Sequence, residues 1–418
     1  MIAGPPATLP ATLVVAGLSV RGLAVSARRA GWRVLALDVF GDQDTRRACA
    51  AWWPIGAPHE AAPRIDPAGL LAALDAARVA VPAGSRLLGC VTGSGFEPGP
   101  ALLDAIARRL PLLGLGAAAV ALLRDPAHCH ASAAALGIAQ PGFSLTPPDG
   151  PGWLVKDMAS SGGQGVRRWV PGGPARSAAS TSSSVYWQRE TAGLAVGTLV
   201  LADGCTARLI GVHEQLVDPT PERPWRFAGV VAPLPLTAPQ AGSLQQALAG
   251  LVRVHGLRGL VSVDWLLADG HWQLLEINPR PSASLAVHER LQARAWPHGL
   301  LAAHVAMFDA GAPAVPTPAA PGARAVGELV VHAPHDLALD ASTLARWAAR
   351  ADVHDIPALP GPGVRQIHLP AGAPLCSVSA CGATPGAVKL ALQQRRRALL
   401  AALPSLQPDT PATSACPT

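Results

Sequence analysis

Three oxygen-bearing side chains stand near one another in the middle of the sequence, and their types and spacing suit a hard metal ion. Asp264 lies within the apolar run Leu260–Leu267, and Glu276 and Asn278 close a second apolar run, Trp272–Ile277. Residues two apart on a strand point to the same face, so Glu276 and Asn278 can meet one ligand together. Mg²⁺ prefers oxygen ligands of this kind, combined with substrate phosphates. The sequence therefore predicts a magnesium site formed by Asp264, Glu276 and Asn278.

A β-hairpin is the element that would bring these side chains together. The two apolar runs flank the turn Ala268-Asp269-Gly270, and an Asp-Gly pair between apolar runs is typical of a hairpin turn. The alternative is a surface hairpin with solvated acids. It is disfavoured because polar groups at the end of a buried strand cost free energy unless they are used.

A second group of residues could bind phosphate. Lys156 ends the apolar stretch that begins at Trp153, which predicts a strand, and a loop of small residues follows. An ammonium group neutralises phosphate oxygens, and small residues let backbone N–H groups approach them. Alone, this pattern fits a flexible hairpin loop equally well. With the metal hairpin about a hundred residues later, it predicts a nucleotide site that includes Lys156, Ser160, Ser161, Gly162, Gly163 and Gly165.

The order and spacing of these motifs resemble the ATP-grasp superfamily. The resemblance rests on Asp264, on the sequence EINPR at 276–280, and on Lys156 with its small-residue loop. It implies that ATP binds under the loop and that Mg²⁺, or Mn²⁺, is held by the predicted oxygen ligands. It also implies catalytic roles for Lys156 and Arg280, with Arg280 meeting a phosphate or an acyl phosphate.

The same resemblance extends to the hinge segment, where family members bind adenine, and to the first residue that contacts phosphate. Gln188, in the stretch before the strand that starts at Ala195, matches the position that meets adenine, and Glu190 is a second candidate for adenine or ribose. Ala195 stands where the family has an acidic ribose contact. Arg124 stands where most members have a phosphate-binding lysine, and the two cations are not equivalent.

The start of the chain predicts a Rossmann-like βαβ unit. A strand at 13–16 leads into a glycine-containing turn, a helix, and a second strand, Arg33–Val39. The glycines do not follow G-x-G-x-x-G, so a tight turn is as good an interpretation as a ligand site. In ATP-grasp proteins such a domain contributes to the substrate side. Glu97 follows another strand and glycine loop, where it could meet a ligand or stabilise a helix dipole.

The predicted fold class is α/β and α+β, with an ATP-grasp core of two α+β subdomains. A continuous helical segment is predicted over Leu285–Phe308. The predicted divisions are a Rossmann-like domain at 1–115, the ATP-grasp domain at 116–310, a linker at 311–323, a small C-terminal domain at 324–403 and a disordered tail at 404–418.

Composition excludes several classes of protein. Half of the 418 residues are apolar, 14% are charged, and the net charge of +6 is not concentrated in a patch with aromatic residues, which disfavours nucleic acid binding. The seven cysteines are odd in number and form no Cys-x-x-Cys pair, which disfavours disulfides and structural zinc. The N-terminus lacks a signal-peptide pattern, and no apolar run is long enough to span a membrane. A cytoplasmic protein is expected.

The expected activity is an ATP-dependent carboxylate–amine ligation through an acyl phosphate. The expected partners are a small carboxylate and an amine, with a second copy of the chain in a homodimer. The alternatives are a carboxylate–thiol or carboxylate–phosphate ligase and a non-catalytic ATP-binding regulator.

A narrower resemblance to ATP-grasp proteins of methylotrophic bacteria rests on short motifs, and it implies a role in one-carbon metabolism. Those proteins accompany tetrahydromethanopterin and methanofuran genes and are similar to tyramine–glutamate ligase, which implies a γ-glutamyl amide. The motifs are Ser19–Gly22, Asp38–Asp42, Gly95–Glu97, Asn278–Ser284, Gly327-Glu328 and Pro374–Cys376.

Overall fold

A computed structural model describes residues 9–58, 63–174, 184–309 and 324–403. The predicted linker at 311–323 and tail at 404–418 lie outside the described residues. No helix of the described part is long and apolar enough to cross a bilayer.

The N-terminal part is a parallel sheet with helices on both sides, as the βαβ pattern predicts. Its strands have the order β3-β2-β1-β4, and all the pairs are parallel. Buried Asp38 closes the first glycine turn, because its carboxylate accepts hydrogen bonds from the N–H groups of Val20, at 2.7 Å, and Gly41. Burial raises the pKa of Asp38 to about 7. The elements are β1 (Thr12–Gly17), α1 (Arg21–Arg29), β2 (Arg33–Asp38), α2 (Gln43–Ala48), β3 (Ala51–Pro54), α3 (Pro67–Val79), β4 (Leu87–Thr92) and α4 (Ala101–Ala107).

A small antiparallel sheet follows and carries the predicted phosphate loop. Its order is β5-β8-β6-β7, and the loop joins β6 to β7. Asp125 begins α6 by accepting the Ala127 N–H at 2.9 Å, with Pro126 in the first helical position. The elements are α5 (Ala117–Arg124), α6 (Pro126–Ala135), β5 (Phe143–Ser144), β6 (Trp153–Asp157), β7 (Val166–Arg168) and β8 (Val185–Arg189).

A large sheet carries the predicted metal hairpin. Its first strands in sequence are β9 to β11, and the hairpin β12–β13 packs beside β9. The predicted helix over 285–308 is wrong as one element, because Pro297 and Gly299, with φ of +79°, interrupt it and leave α8 and α9. The elements are β9 (Leu194–Asp203), β10 (Ala207–Val217), β11 (Phe227–Ala232), α7 (Ala238–His255), β12 (Arg258–Ala268), β13 (His271–Asn278), α8 (Ser284–Leu291) and α9 (Leu300–Ala306).

Three C-terminal strands, β14, β18 and β16, extend this large sheet, whereas β15 and β17 pair with each other in a separate two-stranded sheet. The large sheet runs β13-β12-β9-β10-β11-β14-β18-β16, so β14 pairs directly with β11. The boundary placed at residue 324 therefore falls inside a continuous sheet, and the division into domains stays a prediction. The elements are β14 (Ala325–His332), β15 (Leu337–Asp340), α10 (Ala341–Ala348), β16 (Val353–His354), β17 (Gln366–Leu369), β18 (Pro374–Gly382) and α11 (Pro385–Ala401).

His304 links the N-terminal part to the large sheet. Its Nδ1 accepts the N–H of Leu260 in β12 at 2.8 Å, and its Nε2 therefore carries the proton and donates to the Leu113 carbonyl at 2.9 Å. Burial lowers the pKa of His304 to about 4. The ring is neutral in the folded protein, and both of its nitrogens are used.

We expect acid to destabilise the fold through His304. An unfolded histidine has a pKa of about 6.5, so acidification from about pH 7 to about pH 5 protonates the unfolded chain first and costs about 2 kcal/mol. This contribution is complete above about pH 6.5 and is lost as the pH falls toward the folded value. Urea unfolding at both pH values measures it. H304Q should lower the pH dependence by that amount, and an unchanged dependence would contradict the assignment.

Candidate active site

The predicted hairpin is present and brings the acidic residues together. Asp269 and Gly270 form its two-residue turn with φ of +50° and +81°, as an Asp-Gly turn requires. Asp264 lies directly opposite Glu276 across the strands. The Asn278 amide nitrogen donates to Asp264 Oδ2 at 3.1 Å and to Glu276 Oε1 at 3.0 Å. The three side chains therefore share one face and converge on one point.

A β-bulge makes this convergence possible, and the sequence pattern did not reveal it. The register shifts so that Leu274 pairs with Trp265 while Glu276 pairs with Asp264, which leaves one extra residue in β13. Trp272, Leu274 and Ile277 consequently all contribute to the same apolar core, despite their mixed odd and even positions. The bulge turns Glu276 and Asn278 toward Asp264.

The two carboxylates face each other across the strands, and the nearby cations affect their pKa values unequally. Burial raises the pKa of Asp264 well above its usual value, and repulsion from Glu276 adds to the increase, against the opposing effects of Arg280 and Gln215. Burial acts in the same direction on Glu276, but Arg124, the Asn278 hydrogen bond and Lys156 together bring its pKa below the usual value. The Glu276 side chain keeps 42% of its surface exposed, so its oxygens remain open to a ligand.

This donor set fits a hard cation. The available atoms are carboxylate and amide oxygens, which Mg²⁺ prefers. Gln215 of β10 fixes Asp264 by donating to Oδ1 at 2.6 Å, a positioning role that sequence inspection missed. The Asn278 Oδ1 accepts from Arg280 at 3.3 Å. A half-turn of the Asn278 amide would direct this oxygen at the carboxylates instead.

The phosphate-binding candidates lie beside this cluster. Lys156 of β6 is close enough for its charge to lower the pKa of Glu276. Arg124 Nη1 lies 3.7 Å from Glu276 Oε2, and its Nη2 donates to the carbonyls of Met158 and Ser160 at 2.7 and 3.0 Å. Arg124 Nε is buried, and no described residue forms a hydrogen bond with it. Two cations therefore stand where the small sheet faces the metal hairpin.

The loop of small residues packs against the start of β11. Phe227 N–H donates to the Gly162 carbonyl at 3.0 Å. Gly163 has a φ of +72°, and a Cβ atom there would lie 1.9 Å from the Trp225 carbonyl oxygen. Gly165 packs equally tightly on Ser160, whereas Ser161 accepts the Gln164 N–H at 3.2 Å to close the loop. Only glycine at position 163 therefore allows this contact.

We expect G163A to raise the KM for ATP about tenfold, because the added methyl group would push the loop away from Trp225. G162A is the matched control. Its φ of +62° gives a similar backbone strain, but the nearest atom to its Cβ lies 3.9 Å away. Steady-state ADP release over a range of ATP concentrations measures both. Equal KM values for the two variants would contradict the role of the loop contact.

The two adenine candidates have different surroundings. Gln188 lies in β8, pairs with Phe143 and Leu154, and is 7% exposed. Glu190 follows β8 and forms an ion pair with Arg168, whose Nη2 lies 2.8 Å from Oε1. Gln188 therefore lies within the small sheet, near the end of β8 and just before the chain enters β9. Glu190 is held by a surface arginine, and its adenine or ribose role stays a prediction.

Arg280 connects the metal hairpin to the N-terminal part. Its Nε donates to buried Glu97, whose other oxygen accepts the Gly95 N–H at 2.8 Å. Burial acts to raise the pKa of Glu97, but the Arg280 charge and hydrogen bond lower it below its usual value. Of the two roles considered for Glu97, the helix-dipole role is disfavoured, because α4 begins only at Ala101. Glu97 instead orients Arg280.

A cavity of about 240 Å³ opens beside Arg280. Its walls come from the N-terminal part, from the loop between β13 and α8, and from the C-terminal strands. Residues from the short motifs noted in the sequence meet here, among them Ser19, Arg21, Asp42, Ser282, Glu328 and Cys376. Cys376 is a buried strand residue, and burial raises the pKa of its thiol. The cavity therefore joins the N-terminal part, the loop after β13 and the C-terminal strands beside Arg280.

Comparisons with known proteins agree with this geometry. Residues 145–284 match the family model of an ATP-grasp domain, and this match includes Lys156, the small-residue loop and the whole metal hairpin. The chain has the ATP-grasp fold. No curated protein matches the sequence.

Solved structures of ATP-grasp enzymes resemble the chain over nearly their full length. The biotin carboxylase domain dimer of Hydrogenobacter thermophilus 2-oxoglutarate carboxylase, in complex with MgADP, ADP and bicarbonate, is 12% identical with a TM-score of 0.66, covering 94% of this chain and 90% of its own. L-amino acid ligase from Bacillus licheniformis is 14% identical with a TM-score of 0.62, covering 92% and 96%. Carboxyaminoimidazole ribonucleotide synthase from Aspergillus clavatus, complexed with ATP, is 13% identical with a TM-score of 0.62, covering 94% and 99%. At these identities the likeness establishes the fold alone.

Proposed function

We propose that the protein is an ATP-dependent carboxylate–amine ligase that forms an amide through an acyl phosphate. One observation carries the proposal: Lys156 and Arg124 stand beside the Asp264–Glu276 pair, with Arg280 on the far side of Asn278. Cations on one side and carboxylates on the other suit a triphosphate with a bound divalent ion.

The residues would act in two chemical steps. A substrate carboxylate oxygen attacks the γ-phosphorus, the bond to the β–γ bridging oxygen breaks, and ADP leaves. The amine nitrogen then attacks the acyl carbon, phosphate leaves, and the nitrogen loses a proton. Lys156 offsets charge on the transferred phosphoryl group, and Arg280, oriented by Glu97, holds the acyl phosphate. Bound Mg²⁺ would supply further charge neutralisation between Asp264, Glu276 and Asn278.

The structural relatives support this reaction class. One is named as an L-amino acid ligase and another as a carboxyaminoimidazole ribonucleotide synthase complexed with ATP. A third holds a magnesium salt of ADP and is described as a dimer. These names support ATP and Mg²⁺ as the cofactors and a carboxylate as one substrate. A homodimer stays a prediction.

A γ-glutamyl amide in a methanofuran-type cofactor is the narrower product class that we propose. Its support is the resemblance of the short motifs, several of which line the cavity beside Arg280. Fold likeness does not determine substrate, so this part depends on the motifs alone.

A screen of ADP release tests the proposal. Purified protein is incubated with ATP, Mg²⁺, single amino acids and either tyramine or tyrosine, and products are identified by mass spectrometry. ADP release that requires both a carboxylate and an amine, together with the matching amide, supports the ligase. ADP release only with a thiol acceptor would indicate a carboxylate–thiol ligase, and ATP binding without ADP release would indicate a regulator. No turnover with any glutamate–amine pair would refute the narrower product class.

A further inference from the structure

The wall of the cavity away from the metal hairpin carries an excess of negative charge. Asp42, Asp355 and Glu328 line the cavity there, Asp44 contacts the same cluster, and among the described residues two guanidinium groups face these four carboxylates. Arg21 Nε lies 2.5 Å from Asp355 Oδ1 and 3.5 Å from Asp44 Oδ2, and Arg21 also contacts Glu328. Arg290 binds Glu328 from the other side. The remaining carboxylate of the four, Asp42, has neither guanidinium as a direct partner.

Asp42 is the unusual member of this cluster. It is 5% exposed and lines the cavity, yet its carboxylate makes no hydrogen bond or ion pair with any described residue. One oxygen each from Asp42, Asp44 and Asp355 can be found within 4.8 Å of one another. Asp44 Oδ1 is buried and has no hydrogen-bond partner among the described residues. An unpaired carboxylate that is this buried either takes up a proton or binds a cation, and the cavity beside Asp42 leaves room for a cation.

The pKa of Asp42 agrees with this conclusion. Burial raises it well above its usual value, and the charges of Asp355, Asp38 and Asp44 raise it further, while Arg21 opposes them only in part. Asp355, by contrast, has a lowered pKa, because the charge and hydrogen bonds of Arg21 outweigh its burial. Arg21 therefore compensates the charge of Asp355 but not that of Asp42.

The surroundings favour an organic ammonium group over a metal ion. Arg21 already contacts Asp355 and Asp44, and its guanidinium repels a divalent ion more strongly than a monovalent ammonium group. The cavity beside Asp42 has apolar walls, formed by Phe40, Val330 and Leu369 among others. An ammonium group with three donors on an apolar body contacts both the carboxylates and the apolar walls, whereas a hydrated ion uses only the carboxylates.

We propose that the carboxylate substrate is an amino acid whose unreacting ammonium group binds Asp42 beside Asp355, while its carboxylate reaches Arg280. Both ends of such a molecule meet a group of opposite charge, because Arg280 and Asp42 line the same cavity. The ammonium at Asp42 is a different group from the nitrogen that attacks the acyl phosphate, since that amine must be neutral and close to Arg280. This inference rests on the proposed ligase function and names its substrate class.

Binding of a matched series of probes to the full chain tests it. The series runs from β-alanine through γ-aminobutyrate to ω-aminocaproate, and each member is paired with the unsubstituted alkanoate of the same length. Affinities are measured by calorimetry without ATP, so they do not depend on catalysis. We expect one length of ω-amino acid to bind about tenfold or more tightly than its alkanoate, because a charge-assisted hydrogen bond is gained.

D42N and a matched control separate this site from non-specific charge effects. D42N should lose the preference for the ω-amino acid and should melt at or above the wild-type temperature, because it removes an unpaired buried charge. D104N, at an exposed acid on α4, should keep the preference. Loss of the preference in both variants, no preference in the wild type, or strong destabilisation of D42N would overturn the inference.

Two further readouts separate this inference from its rivals. Mg²⁺ alone is titrated into the wild type and D42N, and binding that D42N abolishes would assign the cluster to a metal and overturn the ammonium site. ADP release is then measured with the preferred ω-amino acid and an amine. A D42N-sensitive preference without ADP release would keep the ammonium site and refute the ligase. ADP release that D42N leaves unchanged would refute the ammonium site and keep the ligase.

Discussion

E276Q is expected to lower ADP release about a thousandfold while the protein stays folded. Glu276 supplies an oxygen to the predicted metal site and lies opposite Asp264, so the substitution removes a full ligand charge. A loss of about 4 kcal/mol of transition-state stabilisation corresponds to this factor. The side-chain amide of the variant can still accept the Asn278 hydrogen bond, and it no longer repels Asp264. The melting temperature should therefore be unchanged or higher.

Two measurements separate loss of the metal site from loss of the fold. Thermal melting with and without ATP and Mg²⁺ should show stabilisation of the wild type and little stabilisation of E276Q. E222Q is the matched control, because Glu222 is an exposed acid in the connection between β10 and β11. It should behave like the wild type in both assays. Wild-type ADP release by E276Q would show that Glu276 does not hold the metal.

K156M is expected to lower ADP release about a hundredfold and to weaken ATP binding. Lys156 and Arg124 are the cations beside Glu276, and removal of one leaves the phosphate charge less neutralised in the transition state. The sequence contains only two lysines, so Lys389 is an unusually clean control. Lys389 lies in α11 and forms an ion pair with Glu214 at 2.9 Å. The hydrogen bond to Asp264 comes from the next residue, Gln215, and does not involve Lys389.

The outcome for the two lysine variants should differ sharply. K389M loses the ion pair with Glu214, in which the Lys389 side chain is 42% exposed. An ion pair this exposed contributes little, so we expect wild-type kinetics and a small change in stability. Fluorescence titration with an ATP analogue reports affinity, and ADP release reports turnover. Similar losses in K156M and K389M would mean that the effect is general, and it would remove the phosphate role of Lys156.

The hairpin part of the site could be predicted because the residues that determine it are close together in the sequence. The Asp-Gly turn and the apolar runs determine the hairpin, which brings Asp264, Glu276 and Asn278 together, whereas their role as metal ligands stays a prediction. The β-bulge was not predicted, because an extra residue in one strand has no signature in an apolar run. The break between α8 and α9 did have a signal, since Pro297 and Gly299 stand in the sequence.

The long-range parts of the site could not be predicted in the same way. Arg280 pairs with Glu97 across 183 residues, and no local pattern connects them. The pairing of β14 with β11, which brings Glu328 to the cavity, likewise depends on a contact between distant strands. Asp42 gave no signal of its own, because a single Asp before a short helix is common. Its unusual character arises only from its burial beside Asp355 and Asp44.

The most direct test of the ATP site is acylation of lysine by an ATP acyl phosphate, a probe that transfers its acyl group to a lysine close to the bound phosphates. Because the chain holds only Lys156 and Lys389, peptide mass spectrometry gives a simple outcome. A triphosphate held between Lys156 and the Asp264–Glu276 pair predicts labelling of Lys156 that excess ATP with Mg²⁺ suppresses, that E276Q weakens, and that is absent from Lys389. Equal labelling of both lysines, or labelling of Lys156 that ATP does not suppress, would contradict it.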